Sequence, residues 1–153
     1  MRPAVHVAAN EGKAGAVKAL LSAAWKDQIL NANNDEGWTP LMLAASSGHA
    51  ACCRLLLEAG AYVRCETRSH TTVLHLVARW LPDKGVDTST VNGILDLLLT
   101  CGALIDAANQ HGVTPLHEAA QMGNHEVVRF LLKRGATAAV YHFCFNLPSH
   151  VHC

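Results

Sequence analysis

A seven-residue segment recurs along this chain at nearly regular distances. It stands at residues 39–45 as TPLMLAA, at 72–78 as TVLHLVA and at 114–120 as TPLHEAA. The first interval is 33 residues and the second is 42, so the second contains nine extra residues. A period of this size indicates a repeat architecture, in which each unit buries its apolar face only by stacking on its neighbours.

A second segment follows each of these copies at a matching distance. It is LLLEAGA at 55–61, LLLTCGA at 97–103 and FLLKRGA at 130–136. An incomplete copy precedes them, because residues 7–12 align with 43–48 and Leu20-Leu21 align with Leu56-Leu57. We therefore expect one domain over 1–140 made of four repeats, at about 4–33, 34–66, 67–108 and 109–140, of which the first lacks its opening turn.

The residues within each copy predict a pair of antiparallel helices. Thr followed by Pro starts a helix, because the hydroxyl accepts a bond from a free N–H group and Pro needs no donor there. Gly48 and Gly123 break the first helix, and Gly60, Gly102 and Gly135 end the second. The Asn/Asp/Gly-rich stretch before the next Thr, such as residues 33–37, is typical of a projecting turn.

The combined pattern has a 33-residue period, and its most complete copy is Asn-x-x-Gly-x-Thr-Pro-Leu-His-x-Ala-Ala at residues 109–120. It resembles the ankyrin repeat over about residues 4–140. The resemblance implies an all-α solenoid of stacked helix-turn-helix units with projecting hairpin fingers. It also implies an intracellular protein, in the cytoplasm or the nucleus, that binds a protein partner on a concave face made of finger tips and first helices.

Repeat 3 departs most from the family pattern. Val73 replaces Pro and His70 replaces the turn Gly, while repeat 2 has Met42 in place of His. The nine extra residues fall at about 81–89, where Pro and Gly make a continuous helix improbable. We expect an elongated loop between the two helices of repeat 3. A tolerated surface insertion is the favoured interpretation, since lengthening a loop costs little free energy, and a partner-specific contact is the alternative.

The C-terminal segment 141–153 does not open another repeat. Stacked repeats usually end in a unit with a polar outer face, and repeat 4 has none. Either the aromatic tail folds over the exposed end, or the chain is a truncated or alternatively spliced product whose tail is loose. From the sequence we expect the second, a flexible tail.

Charge and hydropathy exclude several classes of function. Lys plus Arg and Asp plus Glu number 12 each and are scattered, so no basic surface for nucleic acid or an anionic membrane is indicated. No apolar run is long enough to span a membrane or to serve as a secretory signal. The six cysteines form no CxxC pair, which favours reduced, mostly buried thiols.

Residues that suggest catalysis or metal binding do not complete a motif. Two HExxH-like segments begin at His117 and His125, but Gln121 and Arg129 replace the second His that a zinc site needs. The tail residues Cys144, His150, His152 and Cys153 match no structural zinc spacing. Because phosphate-binding loops and nucleophile signatures are also missing, we expect no enzyme activity, no catalytic residues, no cofactor, no metal and no small-molecule substrate.

The resemblance places the partner-binding residues at the finger tips and before the Gly that breaks each first helix. These positions are Asp35, Glu36, Trp38, Ser46 and Ser47 in repeat 2, Arg68, Ser69, Thr71, Arg79 and Trp80 in repeat 3, and Gln110, His111, Val113, Gln121 and Met122 in repeat 4. Trp and Arg often dominate binding energy, so Trp38, Arg79 and Trp80 are the strongest candidates, with coverage of the inserted loop as the alternative role of Trp80. By the same resemblance, His75 and His117 make local structural hydrogen bonds.

The expected function is that of an adaptor or scaffold that recruits a protein partner. Two alternatives are an inhibitory regulator of a kinase or transcription factor, and a substrate-recognition subunit of a ubiquitin ligase. The sequence does not identify the partner, because this fold carries many unrelated binding surfaces.

Overall fold

The computed structural model describes residues 3–79 and 86–138. The helices in these residues are α1 (Ala4–Asn10), α2 (Ala14–Leu21), α3 (Lys26–Leu30), α4 (Pro40–Ser46), α5 (Ala50–Glu58), α6 (Val73–Ala78), α7 (Thr88–Thr100), α8 (Pro115–Gln121) and α9 (His125–Lys133). Within the described residues the strand pairing consists of one isolated antiparallel bridge between Glu66 and Thr72. The predicted all-α repeat fold is confirmed.

The helices form two layers. The first helices of the repeats, α1, α4, α6 and α8, pack against one another in that order, and the second helices α2, α5, α7 and α9 pack in the same order. Each first helix also packs on its own second helix. Among residues 3–79 and 86–138, the short helix α3 has no counterpart in another repeat, and the sequence pattern did not predict it.

Small and apolar residues occupy equivalent places in this stack. Ala45 and Ala78 are 1% and 0% exposed in α4 and α6, where a small side chain lets first helices approach closely. Leu56, Leu98 and Leu131 are each completely buried in successive second helices. The result is one continuous core that crosses every boundary between repeats.

The turn between the two helices of repeat 2 requires glycine for both conformation and space. Gly48 has a φ of 77°, which glycine adopts at little cost. A Cβ at this position would lie 2.8 Å from Cγ2 of Val86, which belongs to the next repeat. The same residue therefore ends α4 and allows repeat 3 to approach.

Helix α7 is longer than the second helices of repeats 2 and 4, with 13 residues against nine. It begins at Thr88, so the last two residues of the expected loop at about 81–89 belong to the helix. The hydroxyls of Ser89 and Thr90 donate hydrogen bonds to the Asp87 carboxylate and lower its pKa. The rest of the expected loop up to residue 85 lies outside the described residues.

His70 has a φ of 57° and is the one non-glycine residue with positive φ in the described part of the chain. Gly37 and Gly112 hold the same place in the other fingers, with φ of 84° and 72°. The left-handed conformation is costly for a residue with a Cβ. We expect His70→Gly to raise the free energy of unfolding by about 0.5–1 kcal/mol, measured by urea denaturation, despite the greater entropy of glycine in the unfolded chain.

The hydrogen bond that His70 Nδ1 makes to Glu66 Oε2, at 2.8 Å, joins two exposed side chains, so its loss costs little. His111→Gly, one residue before Gly112, is the matched control because His111 does not have positive φ. An equal loss of stability in both variants would show that His70 is not strained.

Candidate protein-binding surface

Three fingers of the same conformation project between the repeats, at residues 34–38, 67–71 and 109–113. In each, the N–H of the first residue donates to the carbonyl of the fifth, at 2.9–3.0 Å. The N–H of the fourth residue donates back to the carbonyl of the first, at 2.9 Å. Five residues thus form a closed turn whose second and third residues are at the tip.

The first side chain of each finger holds the turn from inside. Asn34 Oδ1 accepts hydrogen bonds from the N–H groups of Glu36 and Trp38, at 3.0 and 2.8 Å. Asn109 Oδ1 makes the equivalent bonds in the last finger, at 2.9 and 3.1 Å. Thr67 Oγ1 accepts one such bond, from the N–H of Thr71, in the middle finger. Internal hydrogen bonds therefore fix the conformation of each finger. This order supports the use of the finger tips for recognition.

Neighbouring fingers lie against one another. The N–H of Gln110 donates to the carbonyl of Ser69 at 3.1 Å, which joins the second and third fingers. A Cβ at Gly37 would be in ordinary contact, at 3.8 Å, with Cγ of Arg68, so the first and second fingers are adjacent as well. The three tips form one row.

Two buried histidines, His6 in α1 and His75 in α6, each tie a first helix to the following finger. His75 Nε2 donates to the carbonyl of Val113 at 2.8 Å, while its Nδ1 accepts from the N–H and hydroxyl of Thr72, at 3.2 and 2.9 Å. Burial lowers the pKa of His75, although the bond to Val113 opposes this effect. A neutral imidazole with its proton on Nε2 satisfies both partners.

His6 has the same role in repeat 1, which we did not predict. Its Nε2 lies 2.8 Å from the carbonyl of Ala32 and 3.1 Å from that of Trp38, and burial lowers its pKa. The 36-residue offset between repeats 1 and 2, which aligns His6 with Met42, could have revealed it. Within the described residues its Nδ1 is buried without a partner, because Pro3 stands where repeat 3 has Thr72 and offers neither N–H nor hydroxyl.

The structure separates the predicted partner-binding residues into two groups. Those whose side chains are exposed are Asp35, Glu36, Arg68, Arg79, Gln110, His111 and Gln121. Those that are half-buried are Trp38, Ser46, Ser47, Ser69, Thr71, Val113 and Met122. Trp80 lies outside the described residues.

Several half-buried residues already have partners within the protein. Trp38 packs against the hydrophobic core, and its carbonyl accepts the bond from His6. Ser69 Oγ lies 3.0 Å from the hydroxyls of both Thr67 and Thr71. Ser47 Oγ donates to Asn10 Oδ1 at 3.2 Å. These contacts give the side chains a structural role that the sequence did not show.

Arg79 is the exposed candidate that connects two repeats through its side chain. Its Nε lies 3.7 Å from Oε2 of Glu118, which is in the next first helix. The Arg79 side chain is 58% exposed, so more than half of it faces solvent despite this contact.

A polar cavity of about 310 Å³ lies at the N-terminal end of the same surface. It is bounded by α1, the first finger and α4, and its lining includes Asn10, Glu11 and Glu36. Glu36 was predicted from the repeat pattern, whereas Asn10 and Glu11 were not, because repeat 1 lacks the finger from which the pattern was counted.

The described residues contain no group of three His, Cys, Asp or Glu side chains arranged to hold a metal ion. The Cys144, His150, His152 and Cys153 set lies outside them. Burial raises the pKa of the Cys53 thiol to about 12 and also raises that of Cys52, which keeps both thiols protonated. None of the helices found in residues 3–79 and 86–138 has the length and apolarity needed to cross a membrane.

Comparison with known proteins gives matches over most of the chain. A family model described as ankyrin repeats in three copies matches residues 5–88, and a single ankyrin-repeat model matches 111–141. The chain is 32% identical over 140 residues to the nuclear factor NF-kappa-B p105 subunit of Mus musculus, which covers 91% of the chain and 14% of that protein.

Two further relatives are of different kinds. The chain is 33% identical over 134 residues to the transient receptor potential cation channel subfamily A member 1 homolog of Caenorhabditis elegans, covering 88% of the chain and 10% of the relative. It is 33% identical over 150 residues to ankyrin repeat and SOCS box protein 14 of Mus musculus, covering 95% and 23%. The chain thus spans less than a quarter of the length of each of these relatives.

Proposed function

Because the chain belongs to the ankyrin-repeat family, whose repeats generally serve protein binding, we propose that it is an adaptor or scaffold module that binds a protein partner through its concave face. The proposal includes an intracellular location, in the cytoplasm or nucleus, and no catalytic activity of its own. The family models that match the chain describe repeats and indicate no catalytic family.

The row of three fingers is the observation that carries this proposal. The finger tips expose charged and polar side chains, among them Glu36, Arg68 and Gln110, on turns held by the same internal hydrogen bonds. The exposed part of Arg79 extends this row onto the first helices. A turn whose backbone is already ordered loses little conformational entropy on binding, which favours recognition.

The test compares two charge-reversal variants of the full chain in affinity purification followed by mass spectrometry. Arg68→Glu with Arg79→Glu changes the concave face, and Arg54→Glu with Lys133→Glu changes exposed residues of the second helices. We expect the concave-face pair to weaken capture of the partner at least tenfold, about 1.4 kcal/mol, and the control pair to leave it within twofold. Both should keep the cooperative unfolding of the wild type.

A partner captured equally by the concave-face variant and the wild type would contradict the proposed surface. Trp38→Ala is unsuitable as the main variant, because its half-buried side chain also packs against the core. The same purification separates the alternatives. Inhibition of a captured kinase or transcription factor would identify a regulator, and a co-purified cullin would identify a ubiquitin-ligase subunit, which the match to a SOCS box protein also makes worth testing.

A further inference from the structure

The polar cavity between repeats 1 and 2 carries two acidic side chains. It has a volume of about 310 Å³, and its lining includes Glu11, directly after α1, and Glu36, at the tip of the first finger. Both residues are exposed, and neither carboxylate makes an ion pair within residues 3–79 and 86–138. Their negative charge is therefore available to a positively charged group of a partner.

The same cavity has an apolar wall. Val7 of α1 is 40% exposed, and Leu43 of α4 is half-buried. Lys and Arg side chains combine an apolar stem with a charged end, so the stem packs on apolar groups while the charge stays with polar ones. A lining of both kinds suits such a side chain better than it suits a small inorganic cation, whose ligands are oxygen atoms.

His6, which also lines the cavity, adds an acceptor without a donor. Its side chain is completely buried, and Nε2 carries the proton because it faces the carbonyls of Ala32 and Trp38. Nδ1 then has a lone pair, and it has no hydrogen-bond partner in the described part of the chain. Electrostatic interactions are stronger in such a buried place than in water. The imidazole therefore adds to the attraction of the cavity for a cation.

The charge of the concave face changes sign toward repeat 3. Ser47 stands where repeat 1 has Glu11. At the finger tips, Arg68 stands where the first finger has Asp35. Arg68 is exposed, and the Arg79 side chain is 58% exposed. The face therefore attracts basic side chains at repeats 1 and 2, and acidic side chains at repeat 3.

We propose that the concave face binds a segment of its partner in one direction, with a Lys or Arg side chain in the cavity and an Asp or Glu side chain against Arg68 and Arg79. This inference rests on the proposed concave-face function and adds the chemistry and the direction of the partner. A segment in the reverse direction brings like charges together at both places, which disfavours it.

Selection from a phage-displayed library of random peptides tests the inference. Peptides of about twelve residues reach roughly 40 Å when extended, enough to cross several helices packed about 10 Å apart. We expect the peptides selected on the full-length wild type to carry Lys or Arg toward one end and Asp or Glu toward the other. One order of the two charges should be at least threefold more frequent than the reverse.

A charge-swapped variant reverses the face and keeps its net charge. It combines Glu11→Lys and Glu36→Lys with Arg68→Glu and Arg79→Glu. Peptides selected on this variant should show the reverse order of charges. If the variant loses cooperative unfolding, Glu11→Gln with Glu36→Gln takes its place and should remove the preference for Lys and Arg while keeping that for Asp and Glu.

The matched control swaps the same number of charges at exposed residues outside this face. It combines Asp27→Lys and Glu58→Lys with Arg54→Glu and Lys133→Glu. Peptides selected on the control should keep the order found with the wild type. A reversal in the control as well would mean that the peptides respond to the charge of the whole protein, and the inference would be wrong.

Three further results would overturn the inference: no enriched peptide, enriched peptides without a preferred order, or the same order on the wild type and the charge-swapped variant. A failure of the proposed function can be told apart from these. Peptides without a charge order that lose binding to the Arg68→Glu with Arg79→Glu variant still bind the concave face, so only the inference fails. Peptides that bind this variant and the wild type equally contradict both.

Discussion

Leu98→Ala is expected to lower the free energy of unfolding by about 3–4 kcal/mol, measured by urea denaturation. Leu98 is completely buried in the last turn of α7, which packs against both α5 and α9. Truncation removes apolar contacts and leaves a cavity between packed helices, and buried Leu→Ala changes typically cost 2–5 kcal/mol. Since a domain of this size is stable by only about 5–15 kcal/mol, a large part of its stability would be lost.

The position of Leu98 gives this variant a second expected effect. In a stack of repeats, stability is the sum of each unit and its contacts with its neighbours. Weakening repeat 3 therefore weakens its coupling to repeat 4. We expect exchange in α9 to rise more than exchange in α2, which does not rely on α7 for its contacts.

Leu99→Ala is the matched control because Leu99 is the next residue of the same helix and is only partly buried. It should cost less than half as much as Leu98→Ala. Equal losses would mean that α7 packs with a different face toward the core.

His75→Ala is expected to cost about 3 kcal/mol, which thermal and urea denaturation can measure. The imidazole is completely buried and joins Thr72, at the start of α6, to Val113 in the next finger. Alanine leaves the Val113 carbonyl without this donor and leaves a cavity in the core. An unsatisfied buried polar group costs about 1–3 kcal/mol, and the cavity adds to that.

His117→Ala is the matched control. His117 makes the same bond to its own helix start, with Nδ1 2.8 Å from Thr114 Oγ1, but its side chain is only partly buried. We expect a smaller loss, about 1 kcal/mol, because the tie to a following finger is what distinguishes His75. A larger loss for His117 than for His75 would contradict the proposed importance of the link between repeats.

The pH dependence of stability gives a separate check on His75. Burial lowers the pKa of His75 in the folded protein below the ordinary value of 6.5. As the pH falls below 6.5, the imidazole is therefore protonated in the unfolded chain before it is protonated in the folded one. The stability from the neutral imidazole is therefore present above pH 6.5 and is lost as the pH falls toward its lower folded pKa. The difference in stability between wild type and His75→Ala should shrink from pH 7.5 to pH 5.5. A constant difference would show that His75 does not titrate with folding.

The sequence by itself determined the repeat, the helix pairs and the closed turns between them. Thr39 and Thr114 start helices, and Gly48 and Gly123 end them, through hydrogen bonds and dihedral angles within a few residues. These conformational preferences depend only on neighbouring residues. The same preferences recur at equivalent positions along the repeats, so the copies support one another's assignment. The sequence also identified His70 as an exception, because it stands at a turn position where the repeat pattern has glycine.

Only the tertiary structure decided what each side chain contacts. Trp38, which we predicted as a binding anchor, is half-buried and packs on the core. His6 holds a finger that begins almost 30 residues later. Ala120 is exposed, although its equivalents Ala45 and Ala78 are buried under the repeats that follow them. Burial depends on residues that are distant in sequence and brought close by stacking, so a pattern read along the chain assigns positions to a face without showing which of them remain exposed.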